Sequence, residues 1–394
     1  MSKPFMFEKP IGMRDTLPGL YATKKHIREE METEIARWGY QAIQTPTLEY
    51  YDSVGMASAI LDQQLFKLLD QQGHTLVLRP DMTAPIARLV ASSFRDEAYP
   101  IRLSYHTNLY RAQQREGGRP AEFQQIGVEL IGDGTSSADG EVIALMISAL
   151  KRAGLKNFQV AIGHIGYVNA LLVDVVGNEE RADALRRYLY EKNYVGYREH
   201  VKSLPLSSID KSRLLQLLKL RGGSEKIGEA KELIATEEGS SAINELGRLW
   251  DVLEGYGVTE HLKIDLNLVM HMSYYTGVVF EGYGGQLGVP LSSGGRYDEL
   301  HAKFNRPAQA TGFGIRLDLL TEAIGTTEAK EKPTCIIFSN ERRAEAIALA
   351  FSKRDEGNTV VLQDLAGIEN VDEYTAQFGD VMYCIGKAKK EDGQ

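Results

Sequence analysis

Cysteine is nearly absent from the chain. Of 394 residues only two are cysteines, Cys335 and Cys384, and both lie in apolar runs, TCIIFS and VMYCIG. A cysteine in such a run behaves as a small buried hydrophobic residue. The sequence therefore predicts no disulfide framework, no metal site and no redox cofactor.

Long apolar runs are also missing. No segment approaches the roughly 20 apolar residues that span a bilayer, and the N-terminal MSKPFMFEKPIGMRD lacks the apolar stretch of a secretory signal. With 43% hydrophobic and 25% charged residues and only 12 prolines, the composition is that of an ordinary globular protein. We therefore expect a cytoplasmic protein with no membrane partner, long enough for two or three domains.

Clusters of positive charge are the third feature that the chain lacks. It has 45 Lys and Arg against 54 Asp and Glu, a net charge of −9, and no long basic stripe. Counterion release favours binding to a polyanion only where Lys and Arg cluster. The charge pattern therefore weighs against tRNA as a partner.

Helix and strand patterns follow one another irregularly in the first part of the chain. An amphipathic helix is predicted over residues 19–40, with Ile27, Met31 and Ile35 on one face. A long β-hairpin is predicted over residues 102–132. Because the strands do not alternate regularly with helices, the pattern favours an α+β fold, an antiparallel sheet flanked by helices, over a doubly wound parallel sheet.

The middle and the end of the chain depart from this pattern. Residues 168–256 are rich in charged helix-forming segments, which predicts a helical insertion subdomain. Strand patterns return after it, so residues 1–167 and 257–322 are expected to share one sheet. A polar linker is predicted over residues 323–332 and a small α/β module over residues 333–394.

Two polar segments of the first part suit a binding site if the fold brings them together. Asp81 and Thr83 in RPDMTAP follow a predicted strand and open a helix, where they suit an ammonium group, although a plain helix N-cap is the more frequent explanation. Arg111 lies on one strand of the hairpin, and Gln125 and Glu129, four residues apart, share one face of the next. A solvated face with a salt bridge is the alternative for this second group.

Two further segments come from the second part of the predicted sheet. Tyr274 and Tyr275 precede TGVVFE, and consecutive strand residues point to opposite faces, so one ring is expected in the core and the other in a pocket. The glycines of SSGGRYDEL and TGFGIRLDLL allow the close approach of a ligand, or else they mark tight packing or a bulge.

Together, these segments resemble the catalytic core of histidyl-tRNA synthetases, which are class II aminoacyl-tRNA synthetases, over roughly residues 10–320. RPDMT resembles the RPEGT segment of that family, and YRAQQREGGRPAEFQQIGVE resembles its motif 2. YYTGVVFE resembles its histidine-reading strand, and GGRYDEL with GFGIRLDLL resembles motif 3. GMRDTLP resembles its N-terminal signature. The resemblance implies a dimeric protein with an inserted domain and a histidine pocket made of seven residues: Asp81, Thr83, Arg111, Gln125, Glu129, Tyr274 and Tyr275.

The resemblance also implies a role for each of these residues. Glu129 and one of the two tyrosines, preferably Tyr275, would hold the two nitrogens of the imidazole ring. Asp81, Thr83 and Gln125 would hold the α-amino and carboxylate end, although the family has Glu at the position of Asp81. The arginine of the set matches the motif 2 arginine of the family, so it would contact the carboxylate of histidine and the α-phosphate of ATP.

Two arginines of the family are replaced in this chain. Met270 stands where the family stretch RGLDYY has its arginine, and Leu319 stands at the arginine position of GFAIGLERL. Amino-acid activation joins a carboxylate to the α-phosphate of ATP, two anions that repel unless positive charge is aimed at both. His271, Arg316 and a divalent metal are the candidate substitutes. A neutral imidazole does not reproduce a guanidinium fork, and Arg316 should face away from Leu319 if the segment is helical.

A chain that has a histidine pocket but lacks the activation residues resembles one family in particular, the regulatory subunits of ATP phosphoribosyltransferase. This resemblance implies a non-catalytic chain that forms a homodimer within a hetero-oligomer with the short catalytic subunit. It would bind histidine and make the first step of histidine biosynthesis sensitive to it. A divergent active histidyl-tRNA synthetase and a free-standing histidine sensor for another protein are the alternatives.

Overall fold

The computed structural model describes residues 6–112, 120–270, 274–325 and 332–386. The tip of the predicted hairpin and His271 lie outside these ranges. No helix within them is long and apolar enough to cross a bilayer. The same ranges contain no group of three or more His, Cys, Asp or Glu side chains arranged to hold a metal ion.

The chain forms two compact units, Met1–Thr326 and Thr327–Gln394. The larger unit contains two β-sheets. Its described strands are β1 (Gln41–Ala42), β2 (Leu48–Tyr50), β3 (Lys67–Leu69), β4 (Thr75–Leu78), β5 (Ile101–Tyr110), β6 (Glu122–Ile131), β7 (Phe158–His164), β8 (Arg221–Gly222), β9 (Leu262–Asp265), β10 (Val278–Gly284), β11 (Ser292–Arg296) and β12 (Ala310–Arg316).

The main sheet has the strand order β1-β5-β6-β12-β11-β10-β7-β9-β8. Its central strands, from β5 to β7 in that order, pair antiparallel throughout. Parallel pairing occurs where β1 joins β5 and where β7 joins β9. The sheet is therefore antiparallel at its centre, as predicted, and mixed toward its edges.

Most of the helices lie on one face of the main sheet. The helix α3 begins after Thr135, whose hydroxyl accepts a hydrogen bond from the Ala138 N–H, and it ends before Gly154, which has a φ of 94°. The described helices of this unit are α1 (Pro18–Arg37), α2 (Thr83–Ser92), α3 (Ser136–Arg152), α4 (Ile165–Val176), α5 (Glu179–Tyr190), α6 (Tyr194–Ser203), α7 (Ser208–Leu217), α8 (Glu225–Leu233), α9 (Glu237–Gly255) and α10 (Leu317–Ile324).

The helices from α4 to α9 lie in the part of the chain for which an insertion was predicted. They share one continuous hydrophobic core with α1, α3 and the main sheet. The sequence pattern thus located the helices, and the subdomain boundaries stay a prediction.

Alternation along β6 separates the core from the candidate site. Ile126 and Val128 are buried in the core that contains the helices, whereas Gln125 and Glu129 belong to the opposite face. The same alternation holds on β12, where Phe313 lies in that core between two glycines. The opposite face is covered by α2 and a second hydrophobic cluster.

The second sheet, with the order β2-β4-β3, is antiparallel and small. A turn in which Gly73 has a φ of 88° joins β3 and β4. Cross-strand pairing puts Leu48, Tyr50 and Leu68 on the same face of this sheet. All three side chains are exposed, so this face is an apolar surface.

The smaller unit has the β-α-β pattern that the sequence predicts. It contains β13 (Thr334–Phe338), α11 (Arg343–Asp355), β14 (Val360–Asp364), α12 (Val371–Thr375) and β15 (Asp380–Cys384), and the strands pair in parallel in the order β14-β13-β15. Cys335 and Cys384 are free thiols and both are buried, which confirms that they act as small hydrophobic residues.

Candidate functional site

The seven predicted residues lie around one small cavity on the face of the main sheet opposite the helical core. They come from the junction of β4 and α2, the end of β5, the strand β6, and the segment before β10. The cavity has a volume of about 30 Å³. Its predicted lining residues are Asp81, Thr83, Arg111, Gln125, Glu129, Tyr274 and Tyr275.

Glycines form the floor of this cavity. A Cβ atom at Gly312 would collide with the carboxyl group of Glu129, and one at Gly314 would lie 2.5 Å from the Gln125 amide carbon. A Cβ atom at Gly295 would lie 2.9 Å from the Tyr275 ring. These glycines therefore let the polar side chains lie flat across neighbouring strands, which is the tight-packing explanation of the sequence pattern.

Glu129 is at the centre of the polar contacts. The Thr83 hydroxyl donates to Glu129 Oε1 at 3.0 Å, and the Tyr297 hydroxyl donates to Oε2. Only 2% of Glu129 is exposed, and this burial raises the pKa of its carboxyl group to about 8, although the two hydroxyl donors act in the opposite direction. Near neutral pH the group can therefore donate or accept a hydrogen bond at a ring nitrogen.

Asp81 has two functions in the structure. Its Oδ1 accepts a hydrogen bond from the Ala84 N–H at 3.2 Å, and its Oδ2 accepts one from the Ser58 hydroxyl. The bond to the first turn of α2 is the capping contact that a plain interpretation of RPDMTAP predicts, although Met82 is the residue directly before the helix. Asp81 also lines the cavity, so it contacts the start of the helix and belongs to the candidate site at the same time.

Two arginines hold the backbone around Asp81. The Arg79 guanidinium donates to the carbonyl oxygens of Thr45 at 2.6 Å and Asn108 at 3.1 Å. Arg111 Nε donates to the Pro80 carbonyl oxygen at 2.9 Å, and burial lowers the pKa of this guanidinium from its ordinary value. Arg79 belongs to the quoted RPDMTAP segment, but the sequence gives no sign of its partners.

The prediction that Tyr274 and Tyr275 point to opposite faces of a strand is wrong. Strand β10 begins at Val278, so the two tyrosines precede it and do not follow its alternation. Both rings line the cavity, with ring centroids 5.0 Å apart. Burial raises the pKa of each phenol above its ordinary value, so both hydroxyls stay protonated and can donate.

Two further tyrosines line the cavity and were missed. The Tyr297 hydroxyl contacts Glu129, and the Tyr105 hydroxyl donates to Gln125 Oε1 at 2.9 Å. Tyr297 belongs to the quoted GGRYDEL stretch. Tyr105 lies opposite Gly127 on the neighbouring strand, a register that sequence alternation alone does not fix.

A second and much larger cavity, of about 930 Å³, adjoins the first, and Ser293 lines both. Leu319 and Arg316 lie on its wall. The expectation that Arg316 faces away from Leu319 is therefore wrong, because β12 ends at Arg316 and the helix α10 begins only at Leu317. Among the described residues Met270 lines neither cavity.

Comparison with known proteins agrees with this fold. The family model described as histidyl-tRNA synthetase matches residues 12–320. The model described as the C-terminal domain of the histidyl-tRNA synthetase HisZ matches residues 335–386. A histidyl-tRNA synthetase from Nostoc sp., 18% identical, superposes with a TM-score of 0.78 over 95% of this chain and 89% of its own. The fold is thus that of the histidyl-tRNA synthetase class.

Closer relatives narrow this class. A protein from Halalkalibacterium halodurans named ATP phosphoribosyltransferase regulatory subunit is 71% identical over 98% of both chains. One of the same name from Bacillus subtilis is 61% identical over 98% of this chain and 99% of its own. The crystal structure of a regulatory subunit/histidyl-tRNA synthetase from Bacillus halodurans, 70% identical, has a TM-score of 0.92 and covers 98% of this chain and 100% of its own. The chain belongs to the family of ATP phosphoribosyltransferase regulatory subunits.

Proposed function

We propose that this chain is a non-catalytic regulatory subunit that binds histidine in the small cavity. It acts in the cytoplasm with the short catalytic subunit of ATP phosphoribosyltransferase, at the first step of histidine biosynthesis. The observation that carries the proposal is the convergence of seven polar residues on one cavity while Leu319 occupies the wall of the next. The family to which the chain belongs supports the regulatory role.

Histidine suits the lining of the cavity because each of its polar groups finds a partner of matching chemistry, and the volume of about 30 Å³ requires the lining side chains to move apart as histidine binds. The Glu129 carboxyl and the Tyr275 hydroxyl pair with the two ring nitrogens. Asp81 attracts the α-ammonium group, and Arg111 attracts the α-carboxylate. Each buried hydrogen bond to a charged group contributes roughly 1.5–3 kcal/mol, so a few such contacts favour histidine over amino acids with apolar side chains.

Feedback requires a coupling between this cavity and the catalytic subunit. Histidine shifts the equilibrium between two states of the complex only if it binds one of them more tightly. A coupling free energy of roughly 1–3 kcal/mol, which is typical of allosteric proteins, changes binding affinity at the coupled site about 5- to 150-fold. A binding site in the regulatory chain is therefore sufficient for control of a reaction that occurs in its partner.

The direct test is an assay of the catalytic subunit with and without this chain, titrated with histidine. We expect activity to depend on the chain and to fall as histidine is added. Activity of the catalytic subunit that is the same with and without the chain would refute the proposal. Co-purification from cells separates it from a free-standing sensor, because the proposal requires the short catalytic subunit in the recovered complex.

Binding to the cavity is tested by replacing Glu129. We expect Glu129→Ala to weaken histidine binding by roughly 10- to 150-fold in calorimetry, the equivalent of one charged hydrogen bond. Glu141→Ala is the matched control, because Glu141 is a half-buried carboxylate that pairs with Arg102, away from the cavity. An unchanged affinity of the Glu129 variant, with the fold intact, would place the histidine site elsewhere.

We also propose that the chain forms a homodimer through the apolar face of the small sheet. Leu48, Tyr50 and Leu68 are exposed there by 44%, 55% and 44%, and contiguous exposed apolar surface typically marks an interface. Tyr50→Glu combined with Leu68→Glu should yield monomers in sedimentation equilibrium, whereas Ile209→Glu, at an exposed position of α7, should not. A dimer that persists in the double variant would contradict this.

A further inference from the structure

The large cavity next to the histidine pocket has the size of a small-molecule site, but its charges are mixed. A volume of about 930 Å³ lies within the range of roughly 300–1,000 Å³ that such sites occupy. Three cationic and four carboxylate side chains line its described part. They are Arg14, Lys24, Arg316, Asp15, Glu122, Asp318 and Glu322. Such a wall does not attract a polyphosphate.

Phe123 is the single aromatic residue among the described residues that line this cavity. It lies two and six residues before Gln125 and Glu129 on β6, and thus on the same face of the strand as these pocket residues. A flat aromatic ring beside an amino-acid pocket is a suitable platform for a nucleotide base, because every base stacks on such a ring. In this chain, however, only 5% of Phe123 is exposed.

Two guanidinium groups lie over the ring: that of Arg111, a residue of the small cavity, is 5.3 Å from the centroid, and that of Arg316 is the nearer one. Its guanidinium carbon lies 4.4 Å from the centroid of Phe123, and the arginine is directly opposite Gln125 in the sheet. Asp318 holds the guanidinium in place through contacts of 2.8 Å from Nη2 and 3.4 Å from Nε. A guanidinium plane stacks on aromatic rings as a base does.

We propose that Arg316 takes the place of a nucleotide base on Phe123 and thereby excludes nucleotides from the large cavity. This inference deepens the proposed function, since it gives a second reason, independent of Leu319, why a histidine pocket of this design does not proceed to activation. The side chain of Arg316, held by Asp318, fills the place over the Phe123 ring where a base would stack. Removing it should turn the cavity into a weak site for nucleosides.

Adenosine is the sharpest probe, because it has a base and no phosphate. We expect no measurable binding of adenosine to the wild-type chain in calorimetry, and binding at least about tenfold tighter to Arg316→Ala, in line with the stacking of one base. Arg316→Gln should behave in the same way, and Asp318→Asn, which only loosens the arginine, should show a smaller gain. Thermal unfolding of each variant reports whether it is folded.

The matched control is Arg221→Ala. Arg221 also pairs with an acid, Asp265, at 2.9 Å and lies 4.8 Å from the centroid of Tyr194, but on the helical side of the unit. Its removal should not create adenosine binding. The inference is overturned if neither Arg316 variant binds adenosine more tightly than wild type, or if the wild type already binds it as well. These titrations need neither histidine nor the catalytic subunit, so they stand apart from the tests of the proposed function.

Discussion

Two neighbouring cavities on one face of the main sheet differ in how their polar groups are used. In the small one, carboxyl, hydroxyl and amide groups converge within hydrogen-bonding distance of one another, as between Thr83 and Glu129 or Tyr105 and Gln125. In the large one, the cation of Arg316 is neutralised by Asp318, and Leu319 presents an apolar side chain. The first is arranged for recognition, whereas in the second carboxylates outnumber cations among the described lining residues, where phosphate chemistry needs positive charge.

The comparison teaches that recognition and catalysis can be separated within a single sheet. Strand β6 contributes Phe123 to the large cavity and Gln125 and Glu129 to the small one, so a few residues along one strand face serve both. Substitutions at the far end of that face leave the near end intact. Under the proposed function, a synthetase-like pocket serves as a histidine sensor beside a site that has changed.

The largest effect is expected for the activation of histidine with ATP, a reaction that would need both cavities to be functional. With ATP, histidine and labelled pyrophosphate, the chain should show no histidine-dependent exchange. Two missing electrostatic donors, each worth roughly 10²–10³ in rate, imply a deficit of roughly 10⁴-fold or more relative to an active synthetase. Robust exchange would show that the large cavity still binds and orients ATP, and it would favour a divergent active synthetase.

The next largest effect is on the free energy of unfolding, which depends on pH because an acid is buried in the small cavity. Burial raises the pKa of Glu129 to about 8 from an ordinary value of 4.5, so between these pH values the folded chain holds a proton that the unfolded chain releases. The free energy of unfolding should therefore fall as the pH rises through this window.

The measurement is urea unfolding of the wild type and Glu129→Gln at pH 5 and pH 8. Glutamine has no such proton, so the variant should gain stability relative to the wild type by on the order of 1.4 kcal/mol per pH unit at most. A difference between the two proteins that is the same at both pH values would mean that Glu129 is not buried as an acid.

The glycine floor gives a smaller, purely steric test of the small cavity. Gly312→Ala introduces a methyl group where the Glu129 carboxyl lies, and overpacking of this kind costs typically about 1–3 kcal/mol. We expect histidine binding to weaken by roughly tenfold or more in calorimetry, with a lower melting temperature. Gly288→Ala is the control, since a Cβ there meets nothing within 4 Å. Equal behaviour of the two variants would contradict the proposed pocket.

The smallest effect is the difference in histidine affinity between variants of the two pocket tyrosines. The Tyr274 hydroxyl already has Thr83 within 3.5 Å, so Tyr275 is the better partner for an imidazole nitrogen. We expect Tyr275→Phe to weaken histidine binding by about 2- to 10-fold, the range for one neutral hydrogen bond, and Tyr274→Phe to weaken it less. The reverse order in calorimetry would assign the imidazole contact to Tyr274.

The sequence predicted the members of the small cavity better than its geometry. Gln125 and Glu129 share a strand face because alternation has a period of two, and this needs no tertiary information. Tyr105 joins them only through the register of β5 against β6, which depends on the loop between them. Tyr274 and Tyr275 were misplaced because a strand boundary, at Val278, cannot be located from β-branched residues alone.

The large cavity was the less predictable of the two. The position of Leu319 followed from a resemblance between motifs, but the orientation of Arg316 was predicted wrongly because the segment was treated as one helix. A strand-to-helix junction between Arg316 and Leu317 changes the direction of each side chain. No local pattern reveals that Arg316 lies on Phe123, since that contact joins two strands that are almost 200 positions apart in the chain.

The carboxylate of Asp81 holds the first turn of α2 through the Ala84 amide and at the same time faces the small cavity. An ammonium group that enters the cavity must share this carboxylate with the helix, so cavity occupancy and the tightness of that turn are set by one equilibrium. At the C-terminal end of α2, the Arg306 guanidinium donates hydrogen bonds to the carbonyl oxygens of Val90 and Phe94. The helix α2 therefore connects the carboxylate of the small cavity with an arginine that is far from it in the chain.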